Sequence, residues 1–117
     1  LASRDDVVLG VVTGKSRRGL NAILDHHSLT KAFFTTRTAD DCPSKPHPAM
    51  VLECCAEAGI DAGQTTVIGD AVYDMQMAVS AGARPVGVSW GYGPAEALKA
   101  AGAAHVVHHA GELAALI

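Results

Sequence analysis

The stretch that most restricts the fold is residues 65–82, where one hydrophobic period gives way to another. A β-branched run at 65–68 reads as a short buried parallel strand and ends at Gly69. Two carboxylates four residues apart follow, Asp70 and Asp74, and a helical pattern over 73–81 is closed by Gly82. Asp70 then stands where a strand ends and Asp74 in the first helical turn, so both can face one crevice at the carboxyl edge of a sheet. Two hard oxygen donors there suit Mg²⁺, which takes one or two protein carboxylates and completes its shell with water and substrate phosphate. The bland counterpart is a solvated loop followed by a helix whose early acid complements the dipole.

The strand-then-helix pattern recurs along the chain. Residues 7–12 read as a buried strand and 16–27 as a helix with Leu20, Ile23 and Leu24 on its apolar stripe. A second strand is expected at 32–36. A proline-led helix follows at 46–58, with Met50, Val51, Cys54, Cys55 and Ala58 inward and Gly59 as its stop. After the helix at 73–81 come a fourth strand at 85–89, a short helix near 95–101, a weak strand at 105–107 and a closing helix from Glu112. Strands alternating with helices at this spacing predict an α/β domain with a parallel sheet covered on both faces. With 117 residues, 49% of them hydrophobic, the chain can bury one core, so residues 1–117 are read as a single domain.

Charge and cysteine usage narrow the partners. A formal net charge of -3 supplies no basic footprint, which argues against nucleic acid and anionic membrane and in favour of small molecules. Cys42, Cys54 and Cys55 are odd in number and contain no C-x-x-C pair, so neither a disulfide framework nor a zinc site is expected. The apolar runs are too short to span a bilayer, and residues 1–6 lack a basic-then-apolar signal pattern. The expected compartment is the reducing cytoplasm.

Polar groups gather at three strand or loop ends. Thr13 and Gly14 follow the first strand, Lys45 precedes the proline-led helix, and Asp70 and Asp74 follow the third strand. Thr13 offers a hydroxyl, the amides of Gly14 and Lys15 at a helix start offer a phosphate seat, and Lys45 offers a compact positive charge. Each has an ordinary reading as an N-cap, a turn or a solvated lysine. Together, at corresponding strand ends, they describe a phosphoryl site. The run G-V-V-T-G-K-S at 10–16 has three residues between its glycines where a P-loop needs four. His26–His27 and His108–His109 are adjacent pairs whose side chains diverge, and they read as surface residues. His47 is read as a helix-start residue within reach of the site, and Lys15, Arg17 and Arg18 as either substrate-facing or solvated. Trp90 and Tyr92 are read as a packed loop, and Asp40 and Asp41 as loop caps.

Three segments carry a family resemblance. V-V-T-G-K at 11–15, K-P-H-P-A-M at 45–50 and V-I-G-D-A-V-Y-D-M-Q-M-A-V-S-A-G at 67–82 resemble the second, third and fourth signatures of the haloacid-dehalogenase-like phosphohydrolases. V-G-V-S-W-G-Y at 86–92, followed by A-E-A-L and a late G-E-L, resembles the phosphoglycolate-phosphatase-like branch. The resemblance implies a Rossmann-like three-layer core in which an aspartate attacks phosphorus, Mg²⁺ bridges nucleophile and substrate, and water hydrolyses the aspartyl phosphate. Carried over, Thr13 and Gly14 would hold phosphoryl oxygens and Lys45 would neutralise charge. Asp70 would ligate Mg²⁺, and Asp74 would support the metal site or orient Lys45.

One departure shapes the expectation. The family's first signature, a D-x-D-G-T strand end supplying the nucleophile, has no counterpart, and no D-x-D triplet occurs in the sequence. The resemblance therefore implies the C-terminal part of a larger core domain, without its nucleophile strand and cap. That strand would lie between the strands at 7–12 and 65–68, so self-association through an incomplete sheet is expected. Ala71 stands where relatives commonly place a hydroxyl residue, which removes a helix cap. The expected function is Mg-dependent hydrolysis of a small phosphorylated metabolite, phosphoglycolate-like, with residues 1–117 inactive alone. The rival readings are a non-catalytic phosphate- and Mg-binding module, a receiver-like domain, and a phosphomutase or dehalogenase on the same scaffold.

Overall fold

Short bursts rich in β-branched residues form five short strands among the described residues, each pairing in parallel within its own sheet. The computed structural model describes residues 7–91 and 93–116. Element order is β1 (Gly10–Val12), α1 (Arg17–His26), β2 (Thr35–Arg37), α2 (Ala49–Ala58), a 3₁₀ turn (Ala62–Gln64), β3 (Thr66–Gly69), α3 (Val72–Ala81), β4 (Arg84–Val88), α4 (Ala95–Ala100), β5 (His105–Val107) and α5 (Gly111–Leu116). The α/β alternation expected from the sequence is present throughout, with shifted boundaries. The first strand is shorter than expected, and the second lies further along, at Thr35–Arg37. The second helix starts at Ala49 because residues 44–48 form a turn of their own, in which the His47 amide donates to the Ser44 carbonyl at 3.1 Å.

The strands form two parallel sheets, β1-β2 and β3-β4-β5. Gly10 pairs with Thr35 in the first, and Val67 with Pro85 and Val86 with His105 in the second. On one face of the larger sheet, Val67 packs with Met50, Val51 and Cys55 of α2 and Met77 and Ala78 of α3. On the other, Val86, Val88 and Val107 pack with Leu113 and Leu116 of α5. Leu98 of α4 is fully buried against Gly87, so close that a methyl group there would lie 2.9 Å from Leu98 Cδ1. Gly59 at φ 69° and Gly82 at φ 81° close α2 and α3 in the left-handed conformation that glycine adopts most easily.

Two helix faces differ from expectation. Leu20 and Leu24 of α1 are buried but Ile23 is 40% exposed, so the stripe is narrower than its pattern. In α2, Met50, Val51 and Cys55 are buried, while Cys54 and Ala58 are half-buried. For α2 the reason is the gap between the sheets. Among the described residues β1 and β3 are not hydrogen-bonded, and a slot of about 720 Å³ lies between them, lined also by Cys54, Cys55 and Ala58 of α2. No helix among the described residues is long and apolar enough to cross a membrane.

Candidate active site

The turn after β1 is closed by Thr13. Its amide donates to the Arg37 carbonyl at 3.1 Å, extending the β1-β2 ladder, and its Oγ1 accepts the Lys15 amide at 3.1 Å. Gly14 is exposed at the tip. The expected seat made of two amides is thus changed: the Lys15 N–H is turned back onto Thr13, which leaves Gly14 and the Thr13 hydroxyl at the turn. Helix α1 starts two residues later, where Ser16 Oγ caps the Gly19 amide at 3.0 Å.

Lys45 and Asp74 meet. Lys45 Nζ lies 2.5 Å from Asp74 Oδ1, and Asp74 is buried. Its second oxygen, Oδ2, accepts the Ala71 amide at 3.2 Å, so Asp74 supplies the helix start that Ala71 cannot cap with its own side chain. Both oxygens of Asp74 are therefore engaged within the chain. The ion pair ties the loop after β2 to the first turn of α3, which sets the carboxyl ends of β2 and β3 at the same edge of the molecule. A charge-assisted contact between two largely buried partners is short and geometrically specific.

Asp70 stands directly after β3 and is half-buried. Its carbonyl accepts the Gly93 amide at 2.6 Å, which draws the loop after β4 over the end of β3. A methyl group on Gly91 would overlap the Asp70 side chain, and one on Gly69 would overlap the Asp74 side chain. Glycine at these two positions makes room for the two carboxylates. Gly91 and Gly93 escaped the sequence reading, although the spacing S-W-G-Y-G directly after a strand was the available signal.

The residues weighed as neighbours of the site take other roles. Arg17 points inward: its guanidinium donates to Thr36 Oγ1 at 2.5 Å, to the Thr36 carbonyl at 3.1 Å and to Asp41 Oδ2 at 2.5 Å. Lys15 and Arg18 are exposed. Asp40 and Asp41 are caps as expected, Asp40 accepting the Arg17 amide and Asp41 the Thr38 amide, both at 2.8 Å. The Thr38 amide and hydroxyl and the Arg17 guanidinium hold the Asp41 carboxyl below its ordinary range. His47 Nδ1 accepts the Ala49 amide at 3.1 Å, the helix-start role. Trp90 is 53% exposed, contrary to the expected packed loop, because the chain turns at its position beyond β4; Tyr92 lies outside the described residues. His26 and His27 stand edge-on and exposed. The three cysteines are unpaired.

For Mg²⁺, the donor set is one carboxylate at a strand end, Asp70, with a second, Asp74, close by in sequence and already bonded to Lys45 and Ala71. Among the described residues no three His, Cys, Asp or Glu side chains converge. That set fits an ion that keeps several waters and binds through one or two carboxylates plus phosphate, and not a cage built by protein alone.

Comparison with known proteins identifies the family. The profile of the family described as Haloacid dehalogenase-like hydrolase matches residues 2–88. "Probable phosphatase IndB" of Dickeya dadantii is 37% identical over 94 residues, covering 80% of this chain and 41% of its own length. The phosphoglycolate phosphatase of Mannheimia succiniciproducens is 34% identical over 86 residues, covering 73% of this chain and 38% of its own. Among solved structures, a HAD-superfamily hydrolase of Geobacter sulfurreducens superposes with a TM-score of 0.83 at 28% identity, covering 97% of this chain and 54% of that one. The chain spans about two fifths of the length of these curated relatives. Its ordered signatures, its parallel strands and this profile place it together: the chain belongs to the haloacid dehalogenase-like hydrolase family.

Proposed function

We propose that residues 1–117 form the phosphoryl-holding part of an Mg-dependent phosphatase that acts in the cytoplasm on a small phosphorylated metabolite of the phosphoglycolate kind. The attacking aspartate is supplied by a segment outside these residues. The observation that carries the reading is the Lys45–Asp74 pair at 2.5 Å, four residues from Asp70 at the carboxyl end of β3. The names of relatives such as the Mannheimia phosphoglycolate phosphatase support the substrate class.

In this reading the Thr13 hydroxyl and the Gly14 amide donate to phosphoryl oxygens. The Lys45 ammonium offsets charge that builds on the phosphoryl group and its attacker, and Asp74 holds that ammonium in place. Asp70 would hold Mg²⁺, which when bound supplies charge neutralisation and orientation of the phosphoryl oxygens. Asp74, with both oxygens engaged, fits the orienting role better than direct ligation. Phosphoryl transfer depends mainly on such positioning and electrostatic stabilisation.

The test is hydrolysis of phosphoglycolate and p-nitrophenyl phosphate by residues 1–117 alone and together with a segment carrying D-x-D-G-T. No turnover is expected alone, and Mg-dependent turnover is expected on completion. In the completed protein, Lys45→Ala should lower turnover by about 10²-fold, the scale of losing one preorganised donor. Asp70→Asn should weaken Mg²⁺ dependence by orders of magnitude, because it removes charge at the ion. Turnover within a few-fold of the parent in Lys45→Ala would make that lysine a surface residue. A second reading, a non-catalytic phosphate-binding module, draws on the absence of D-x-D; phosphate binding without turnover in the completed protein would favour it.

A further inference from the structure

In a parallel ladder the N–H and C=O of one residue point to the same side, and successive residues alternate. The Arg37 carbonyl accepts the Thr13 amide and so faces β1, which turns Thr36 and Thr38 toward the outer edge of β2. No strand among the described residues pairs with that edge. Side chains and a turn occupy it instead. The Thr36 carbonyl accepts Arg17 Nη2 at 3.1 Å and Arg37 Nη1 at 2.8 Å. The Thr38 amide donates to Asp41 Oδ2 at 2.8 Å, and the Thr38 carbonyl accepts the amides of Asp41 at 3.0 Å and Cys42 at 3.3 Å. Each guanidinium is itself anchored, Arg17 by Asp41 at 2.5 Å and Arg37 by Glu53 and Glu57 of α2. Phe34, directly before the strand, is 61% exposed, so an open aromatic ring stands where the edge begins.

We infer that Arg17, Arg37 and Asp41 cover a pairing surface, the outer edge of β2, and that the occupant they exclude is a second copy of this chain. A strand that meets its own copy across a twofold axis runs antiparallel to it. Thr36 is the middle residue of the three-residue strand, so it would stand opposite Thr36 of the copy, with N–H to C=O in both directions. The edge is self-complementary at that residue. Both lone pairs of the Thr36 carbonyl are taken by guanidinium donors, which leaves it no acceptor for the copy's amide. The two cations of one copy would also face those of the other, and like charge opposes the approach. Charged side chains on an edge strand are a general means of blocking such growth. Arg17 comes from α1 and Arg37 from the strand itself, so either one alone keeps the carbonyl occupied.

The experiment follows amide exchange at Thr36 by NMR in dilute and concentrated solution, with sedimentation velocity beside it. The parent chain should exchange Thr36 at the same rate in both samples, and so should Arg17→Met and Arg37→Met taken singly. The double variant should associate and slow Thr36 exchange at least tenfold in the concentrated sample. Adding Thr36→Pro to it removes the outward donor while sparing the ladder with β1, and should return sedimentation to that of the parent. Where the methionine pair gives no cooperative urea transition, Arg17→Gln with Arg37→Gln, shorter and uncharged, takes its place with the same expectation. A folded double variant whose Thr36 exchange is independent of concentration overturns the proposal, as does association that survives Thr36→Pro. Concentration-dependent protection of Thr36 in the parent overturns the cover itself.

Discussion

The two sheets are built from similar strands and held by different forces. In β3-β4-β5 the strands bury Val86 and Val107 almost completely, and Leu98 is sealed against Gly87. In β1-β2 the strand residues Val11 and Val12 are only half-buried, and the sheet is tied by charge. Arg17 links α1 to Thr36 and Asp41, while Arg37 reaches Glu53 at 3.0 Å and Glu57 at 3.1 Å of α2. A central strand flanked on both sides can be stabilised by apolar burial. β1 and β2 each have one strand neighbour among the described residues and lean on directional polar contacts, which are individually weaker and sensitive to pH and salt.

The contrast can be broken most forcefully in the larger sheet. Leu98→Ala should cost about 3 kcal/mol of unfolding free energy, the middle of the range for a fully buried leucine, measured by urea denaturation. A loss under about 1 kcal/mol would mean that apolar burial does not hold this half. In the smaller sheet Arg17→Met should cost about 1 kcal/mol, an amount that shrinks in high salt and is accompanied by faster amide exchange in β1 and β2 alone. Exchange rising equally in β4 and β5 would erase the distinction.

Acid sharpens it further. Asp41, Glu53 and Glu57 are held below their ordinary pKa values, Asp41 first by the Thr38 amide, Glu53 by the Cys42 thiol and Glu57 by Thr35. A carboxyl depressed in the folded state contributes stability above its unfolded pKa and loses it as pH falls through the folded value. Below about pH 4, β1-β2 amides should lose protection before those of β4 and β5. The smallest effect concerns Cys42: burial first, then the Glu53 carboxylate, push its thiol up to about 11. At neutral pH it should alkylate much more slowly than a free cysteine, and Glu53→Gln should speed it modestly.

How much of this was legible differs between the same two regions. The order of strands and helices, the stops at Gly59 and Gly82 and the weak strand at His105–Val107 followed from local pattern, since hydrophobic period and left-handed glycine are local properties. The Lys45 to Asp74 relation could be read only through resemblance, because 29 residues separate them and no local rule pairs them. Period alone points Ile23 and Cys54 to the interior. Their exposure depends on what stands across from α1 and on the slot beside α2, neither of which a helical pattern encodes. Arg17 was undecidable for the same reason: its partners Thr36 and Asp41 arrive from a later strand and loop. The packing of Gly91 against Asp70 belongs to tertiary structure.

Those glycines bear on how the sequence can drift. At Gly14, Gly63 and Gly111 an added methyl group meets open space, so substitution there is sterically free. At Gly69 and Gly91 the volume denied to the methyl is the volume held by a carboxylate, Asp74 in one case and Asp70 in the other. A saturation scan would therefore register the two acids twice, once at their own positions and once as forbidden side chains at positions that carry no functional group at all.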